Sequence, residues 1–336
     1  MQVEGLSRGN SDAVSLGAGE RVSLHEHLDG SLLTGTLIEL AAGCGVNLPE
    51  SDEAGLTTWL RQQVRGSLGQ YLSCFALTTA VMQTEENLER VAYEHMAQLH
   101  EDRVAYAELR FAPQLHAPGW VDSIEAVGSG VRRGMAEFGI EAGIIVCAMR
   151  DQDPAHSLAA AHAAVAHPMV VGFDLAGEEW GHPPTEHREA LAVIREAGIA
   201  LTIHAGEGDG VASISAAIEA GATRLGHGVR IIEDITQTER GVHLGSTAGR
   251  IREEGIHLEV CISSNVDTGL YPVEQHPVLQ LHRAGLNVGL STDNRMMSAT
   301  NLEREEQIAR RILGGSEDEI RAMRANAARA RFTGRN

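Results

Sequence analysis

The feature that most narrows the folds open to this chain is a rhythm. Apolar stretches suited to buried strands recur eight times, each followed by a segment of helical patterning. They are RVSLHEH (21–27), VAYAELRF (104–111), AGIIVCAM (142–149), VVGFDL (170–175), ALTIHA (200–205), TRLGHG (223–228), IHLEVCI (256–262) and LNVGLST (286–292). Between them lie helix candidates such as 85–101, 185–198 and 213–221, several ending at glycine, as helix C-termini often do. Strands alternating with helices build parallel β-α-β units, and eight units close into a (β/α)8 TIM barrel of the α/β class. The competing arrangement is a doubly wound open sheet.

The length of 336 residues suits one large barrel, and no Pro/Ser-rich linker or charge block divides the chain. Residues 21–336 therefore read as a single domain, behind a polar, Gly/Ser-rich lead-in at 1–20 that is expected to be flexible. The interval from Leu28 to about Arg103 is too long for one crossover helix, which predicts extra helices inserted after the first strand. Within it, Leu68, Tyr71, Leu72 and Phe75 stand at helical spacing. That face is either buried on the barrel wall or an apolar lid over a pocket, in which case Leu72 and Phe75 would touch substrate.

Charge and cysteine usage exclude several partners. With 27 basic and 46 acidic residues the chain carries −19, which repels phosphate backbones and anionic lipid surfaces, so neither nucleic acid nor membrane is expected. No apolar run approaches the ~18 residues of a membrane span, and the N-terminus has no apolar signal core. Cys44, Cys74, Cys147 and Cys261 are widely spaced without a C-x-x-C pair, which reads as reduced thiols in a cytoplasmic protein. A monomer or weak homo-oligomer is expected.

Barrels of this kind carry their chemistry at the C-terminal ends of the strands. The first stretch ends in HEHLDG, and side chains two apart on a strand share a face, so His25 and His27 project together. One strand cannot surround an ion, but other strand ends deliver His204 and Glu207 (HAGE), His227 (LGHG), and Asp293 with Asn294 (STDN). Imidazoles plus a carboxylate suit zinc, with cobalt, nickel or iron as less suited occupants. His25, His27, His204 and Asp293 would supply four ligands and leave a position for water, as catalytic rather than structural sites do. Lowering the pKa of a bound water from about 15.7 to about 7 creates a nucleophile near neutral pH. No G-x-S-x-G elbow, phosphate-binding loop or dinucleotide fingerprint competes with this reading.

Taken as an ordered set, HEHLDGS (25–31), Gly177-Glu178 in FDLAGEE, HAGEG (204–208), LGHGVRIIED (225–234), CISSNVDTG (261–269) and STDN (291–294) resemble the motifs of the adenosine deaminase family, from about residue 21 to 331. The resemblance implies a (β/α)8 barrel with one zinc ion per chain that hydrolyses the purine 6-amino group to ammonia. It implies His25, His27, His204 and Asp293 as zinc ligands, and Glu207 as the acid that protonates the purine ring. His227 would orient the zinc hydroxide, and Asp293 would also accept its proton. Gly177 would contact the base and Asp29 the ribose. Glu207 must then enter protonated, which burial would favour.

One position departs from the pattern: the residue after the ligand Asp293 is commonly aspartate in the family and is Asn294 here. Purine nitrogen seven only accepts hydrogen bonds, and an asparagine amide donates without a proton cost. The expected activity is deamination of adenosine and 2′-deoxyadenosine. Alternatives are a related 6-aminopurine (adenine, or a 5′-modified nucleoside such as 6-aminodeoxyfutalosine) and a non-catalytic nucleoside-binding barrel. His95, His100, His116, His156, His162 and His167 read as surface or packing histidines, and Glu178 and Glu179 as groups that position a loop or a substrate hydroxyl, or else as a solvated rim.

Overall fold

The computed structural model describes residues 20–239 and 241–332. All eight expected strands form, as β1 (Arg21–His27), β2 (Val104–Phe111), β3 (Glu141–Met149), β4 (Val170–Ala176), β5 (Ala200–Ala205), β6 (Arg224–His227), β7 (His257–Val260) and β8 (Asn287–Leu290). They pair in parallel in sequence order. The ring closes between β1 and the residues just past β8: His27 N donates to Asp293 O at 2.8 Å, and Asp293 N donates to His25 O at 3.0 Å. This closed barrel replaces the open-sheet alternative. A short antiparallel ribbon, Ile235–Thr238 with Gly241–Leu244, was not expected, because ITQT and GVHL lack a clear apolar alternation.

The long first connection holds helices Thr34–Cys44, Glu53–Gln63, Leu68–Ser73, Phe75–Val81 and Glu85–Glu101. The last of these begins with Thr84 accepting from Asn87 N and two acidic residues in the first turn, and it buries Leu88, Val91, Ala92, Met96 and Leu99 on one face. The expected lead-in, apart from Glu20, lies outside the described residues. None of the described helices is long and apolar enough to cross a membrane, and all four cysteines are free.

Branched aliphatic side chains usually fill a barrel of this kind, yet charged groups occupy much of this interior. Arg110 bridges Asp174 (2.8 Å) and Glu259 (2.8 Å), and Arg224 joins Glu259 (2.7 Å) to Glu108, with every one of these side chains 0–2% exposed. Burying ions is costly unless each is paired and hydrogen-bonded, and here Thr202 Oγ1 also donates to Glu259 at 3.1 Å. The C-terminal helix Glu317–Ala330 packs on β1, β7 and β8. It delivers Phe332 to the base of the barrel, where the phenyl ring lies 3.5 Å under the Arg224 guanidinium and the Phe332 backbone N–H donates to Glu108 Oε1 at 2.6 Å.

Candidate active site

The polar residues expected at the strand ends meet in one place. His25 Nε2 and His27 Nε2 each lie 3.4 Å from Asp293 Oδ1. His27 Nε2 is 3.2 Å from His204 Nε2. His25, His204, His227 and Asp293 each offer a ligand atom within 4.8 Å of the others. Asp293 and His227 both sit at positive φ, 64° and 61°, a region few non-glycine residues adopt and one that often marks functional turns. In this structure it redirects the chain just as each strand ends. Gly226 is required beside them: a Cβ there would meet His25 Cε1 at 3.0 Å and His204 Cα at 3.2 Å.

The buried charges of the barrel interior stand behind these rings. Glu259 Oε2 is 2.9 Å from His25 Nδ1, and Asp174 Oδ2 is 3.0 Å from His204 Nδ1. Burial alone would raise both carboxyls. For Asp174 the His204 and Arg110 charges outweigh it, and for Glu259 the Arg110 and Arg224 charges do, so both stay ionised. An ionised carboxylate only accepts, so each Nδ1 donates, and in the deprotonated ring that binds a metal each Nε2 keeps a lone pair directed at the cluster. His25 Nε2 is buried and makes no hydrogen bond within the protein. Ser264 Oγ donates to Asp293 Oδ2 at 2.6 Å, which leaves Oδ1 facing the histidines. This donor set, three converging imidazoles and a carboxylate oxygen, fits a divalent ion of the zinc type.

Glu207 lies beside this cluster, its Oε2 3.4 Å from His227 Nε2. Burial, and then the charges of Asp293, Glu179 and Glu178, push its carboxyl well above the ordinary value, so it holds a proton. The loop carrying it is clamped by Glu179, whose carboxylate accepts from the backbone N–H groups of Gly206 (2.7 Å), Glu207 (3.0 Å), Gly208 (2.7 Å) and Asp209 (3.0 Å). Of the readings of Glu179, the loop support is the one these contacts display.

These groups form one end of a cleft of about 340 Å³, near the small end of the usual range for ligand sites. Leu68, Tyr71, Leu72, Phe75, Ala76, Leu115 and Met149 give it apolar walls, and Asp29, Asp151, Gly177 and Asn294 add polar points. The expected single helix face at 68–75 is broken at Cys74 into two short helices, and both turn apolar side chains to the cleft. Leu72 and Phe75 thus line the pocket. Asn294 is packed against Gly30, where a Cβ would lie 1.8 Å from its Oδ1. Asp29, its carboxyl pushed up to about 7 by burial and then by Asp293, has a buried Oδ1 without a hydrogen-bond partner.

None of the histidines read as packing or surface residues lines the cleft. His95 faces Glu26 at 3.4 Å, and His116 Nδ1 donates to Met82 O at 2.8 Å. The sequence pattern alone did not reveal the roles of Asp174, Glu259 and Arg110. The signal available was a charged residue at the inward phase of an otherwise apolar strand, as in AELRF, GFDLA and HLEVC.

Converging imidazoles, a carboxylate and a buried acid at the C-terminal mouth of a (β/α)8 barrel define a metal-dependent hydrolase. The adenosine deaminase family model matches residues 21–336. An adenosine deaminase of Mycobacteroides abscessus is 40% identical over 96% of this chain and 92% of its own length. The chain belongs to the adenosine deaminase family. Among solved structures, an adenine deaminase from Arthrobacter aurescens superposes with a TM-score of 0.84 at 23% identity, covering 94% of both chains. An amidohydrolase from Burkholderia ambifaria with bound zinc superposes with a TM-score of 0.81 at 22% identity, covering 94% of this chain and 86% of its own.

Proposed function

We propose that the protein hydrolyses the 6-amino group of adenosine and 2′-deoxyadenosine, releasing ammonia and the corresponding inosine, with residues 21–336 acting as one unit. One observation carries the reading: a proton-bearing buried carboxyl, Glu207, stands beside a cluster of imidazoles and a carboxylate able to hold an ion, at one end of a cleft with largely apolar walls. His25, His27, His204 and Asp293 would hold the ion, and zinc suits this donor set. When bound there, zinc is a Lewis acid that makes a water nucleophilic near neutral pH.

The protein's own groups do the rest. Leu72, Phe75 and Met149 take the purine faces and exclude water, while Gly177 and the Asn294 amide address the edge of the base. Glu207 delivers its proton to the ring nitrogen beside the amino-bearing carbon. Addition of water there then places charge on a protonated nitrogen instead of breaking aromaticity unaided. Asp293 would accept the proton of the attacking water and return it to the amino nitrogen, so that the C–N bond breaks and ammonia leaves, while the hydroxyl proton of the adduct restores Glu207; His227 would donate a hydrogen bond to the oxygen as it adds.

Charge decides between nucleoside and nucleotide. Among the described residues the cleft is lined by the carboxyls of Asp29, Asp151 and Asp293 and by no arginine or lysine, so a 5′-phosphate would meet no guanidinium or ammonium there. Asp29 Oδ1, 4.0 Å from His27 Nδ1 but without a hydrogen bond, favours a nucleoside over the free base, because a buried oxygen of this kind is ordinarily satisfied, and a ribose hydroxyl would satisfy it. A spectrophotometric panel of adenosine, deoxyadenosine, adenine, AMP and 5′-substituted nucleosides tests the reading. The two nucleosides should exceed adenine and AMP in kcat/KM by about 100-fold or more. A preference for adenine or AMP would overturn it.

A further inference from the structure

His227 differs from His25 and His204 in what lies behind its ring. The contacts begin at a backbone donor, whose polarity is fixed: Val278 N–H donates to His276 Nδ1 at 3.3 Å. A ring nitrogen that accepts carries no hydrogen. Burial pushes the His276 pKa down to about 3, so the neutral ring keeps its one hydrogen on Nε2. His276 Nε2 therefore donates to Asn265 Oδ1 at 3.2 Å. That turns the amide so that Asn265 Nδ2 donates to His227 Nδ1 at 3.1 Å. The hydrogen of His227 is left on Nε2, the nitrogen facing Glu207. All three side chains are 0–3% exposed, which limits what solvent can contribute.

We propose that Asn265 and His276 are positioning residues that lock His227 as the Nε2–H tautomer, making it a hydrogen-bond donor toward the reacting oxygen and removing it from competition for the metal. The kinetic consequence rests on the aminohydrolase reading above, whereas the tautomer does not. The relay also accounts for an amide at 265. A carboxylate there would accept from His276 and draw the His227 hydrogen to Nδ1. It would recreate the arrangement behind His25 and His204 and free a lone pair on Nε2.

The test uses the zinc-loaded full chain with histidine ¹⁵N labelling, in wild type and Asn265→Asp, with His227→Gln to identify the signals of that ring. Long-range ¹H–¹⁵N spectra should show Nε2–H for His227 and His276 in the wild type, and Nδ1–H for His227 in Asn265→Asp. In the variant, kcat for adenosine should fall about 100-fold while KM stays within about threefold, with one zinc per chain retained. A wild-type His227 found as Nδ1–H or doubly protonated would overturn the proposal. So would a variant whose tautomer switches while kcat stays within about threefold of wild type. If the wild type fails to turn over adenosine, the substrate reading falls, and the ring spectrum still decides the relay. Should Asn265→Asp not fold, the wild-type spectrum decides alone.

Discussion

The two ends of the cleft are built on different principles. At the strand ends four of the reactive groups have a partner behind them: Glu259 behind His25, Asp174 behind His204, Ser264 behind Asp293, and Glu179 under the Glu207 loop. The opposite wall, the broken helix pair at 68–81, rests on apolar packing with one hydroxyl pair reaching across to the strand-end loops, Tyr71 Oη to Ser298 Oγ at 3.0 Å. Orientation is fixed by hydrogen bonds and charge, whereas an apolar wall supplies area and shape. Chemistry should therefore be lost by changes at the strand ends, and affinity by changes in the wall.

The sharpest way to break that contrast is Glu207→Gln. It keeps shape and the metal ligands while removing the transferable proton, so kcat should fall about 10³-fold with KM nearly unchanged and metal content intact. Near-normal turnover would remove Glu207 from the reaction. Glu179→Gln should be next, because an amide cannot accept from all four backbone donors as the carboxylate does. We expect kcat to fall about 10–100-fold. Losing that negative charge also lowers the Glu207 pKa, so the alkaline limb of the pH–rate profile should move to lower pH.

On the apolar side, Phe75→Ala should raise KM for adenosine about tenfold, the equivalent of about 1.4 kcal/mol of lost contact, with kcat little changed. A kcat effect larger than the KM effect would mean that the wall also orients the base. Mild acid should weaken both regions at once through neutral buried histidines. Burial holds His276, behind the strand ends, at a pKa of about 3 and His116, beside the inserted helices, at about 4. Folded-state values below the unfolded 6.5 mean full stability above pH 6.5, lost as pH falls toward those values. Between pH 7 and pH 4.5 this costs on the order of 2 kcal/mol per histidine, and Tm should drop by about a few degrees, measurable by differential scanning calorimetry.

The same contrast governs how much could be read from the chain alone. Strand-end groups were legible because each follows an apolar run, and a period of two with parallel topology brings such ends to one rim. The wall was legible only as two alternatives, since apolar residues at helical spacing look alike whether they face a core or a cavity. Its break at Cys74 left no sign, there being neither proline nor glycine at the junction. The supporting carboxylates and the Asn265–His276 relay escaped notice because their meaning depends on which ring each one faces, a matter of barrel register rather than local pattern. Glu178 and Glu179 show the limit well: adjacent and chemically alike, they differ in that one turns inward to four backbone donors.

The account depends most on four side chains from three strand ends holding one divalent ion. Anomalous diffraction at the zinc edge from crystals of the zinc-supplemented protein addresses this directly. We predict one peak per chain, with His25, His27 and His204 Nε2 at about 2.0–2.1 Å and Asp293 Oδ1 at about 2.0–2.2 Å. An absent peak, or one ligated by His227 in place of His27, would contradict it.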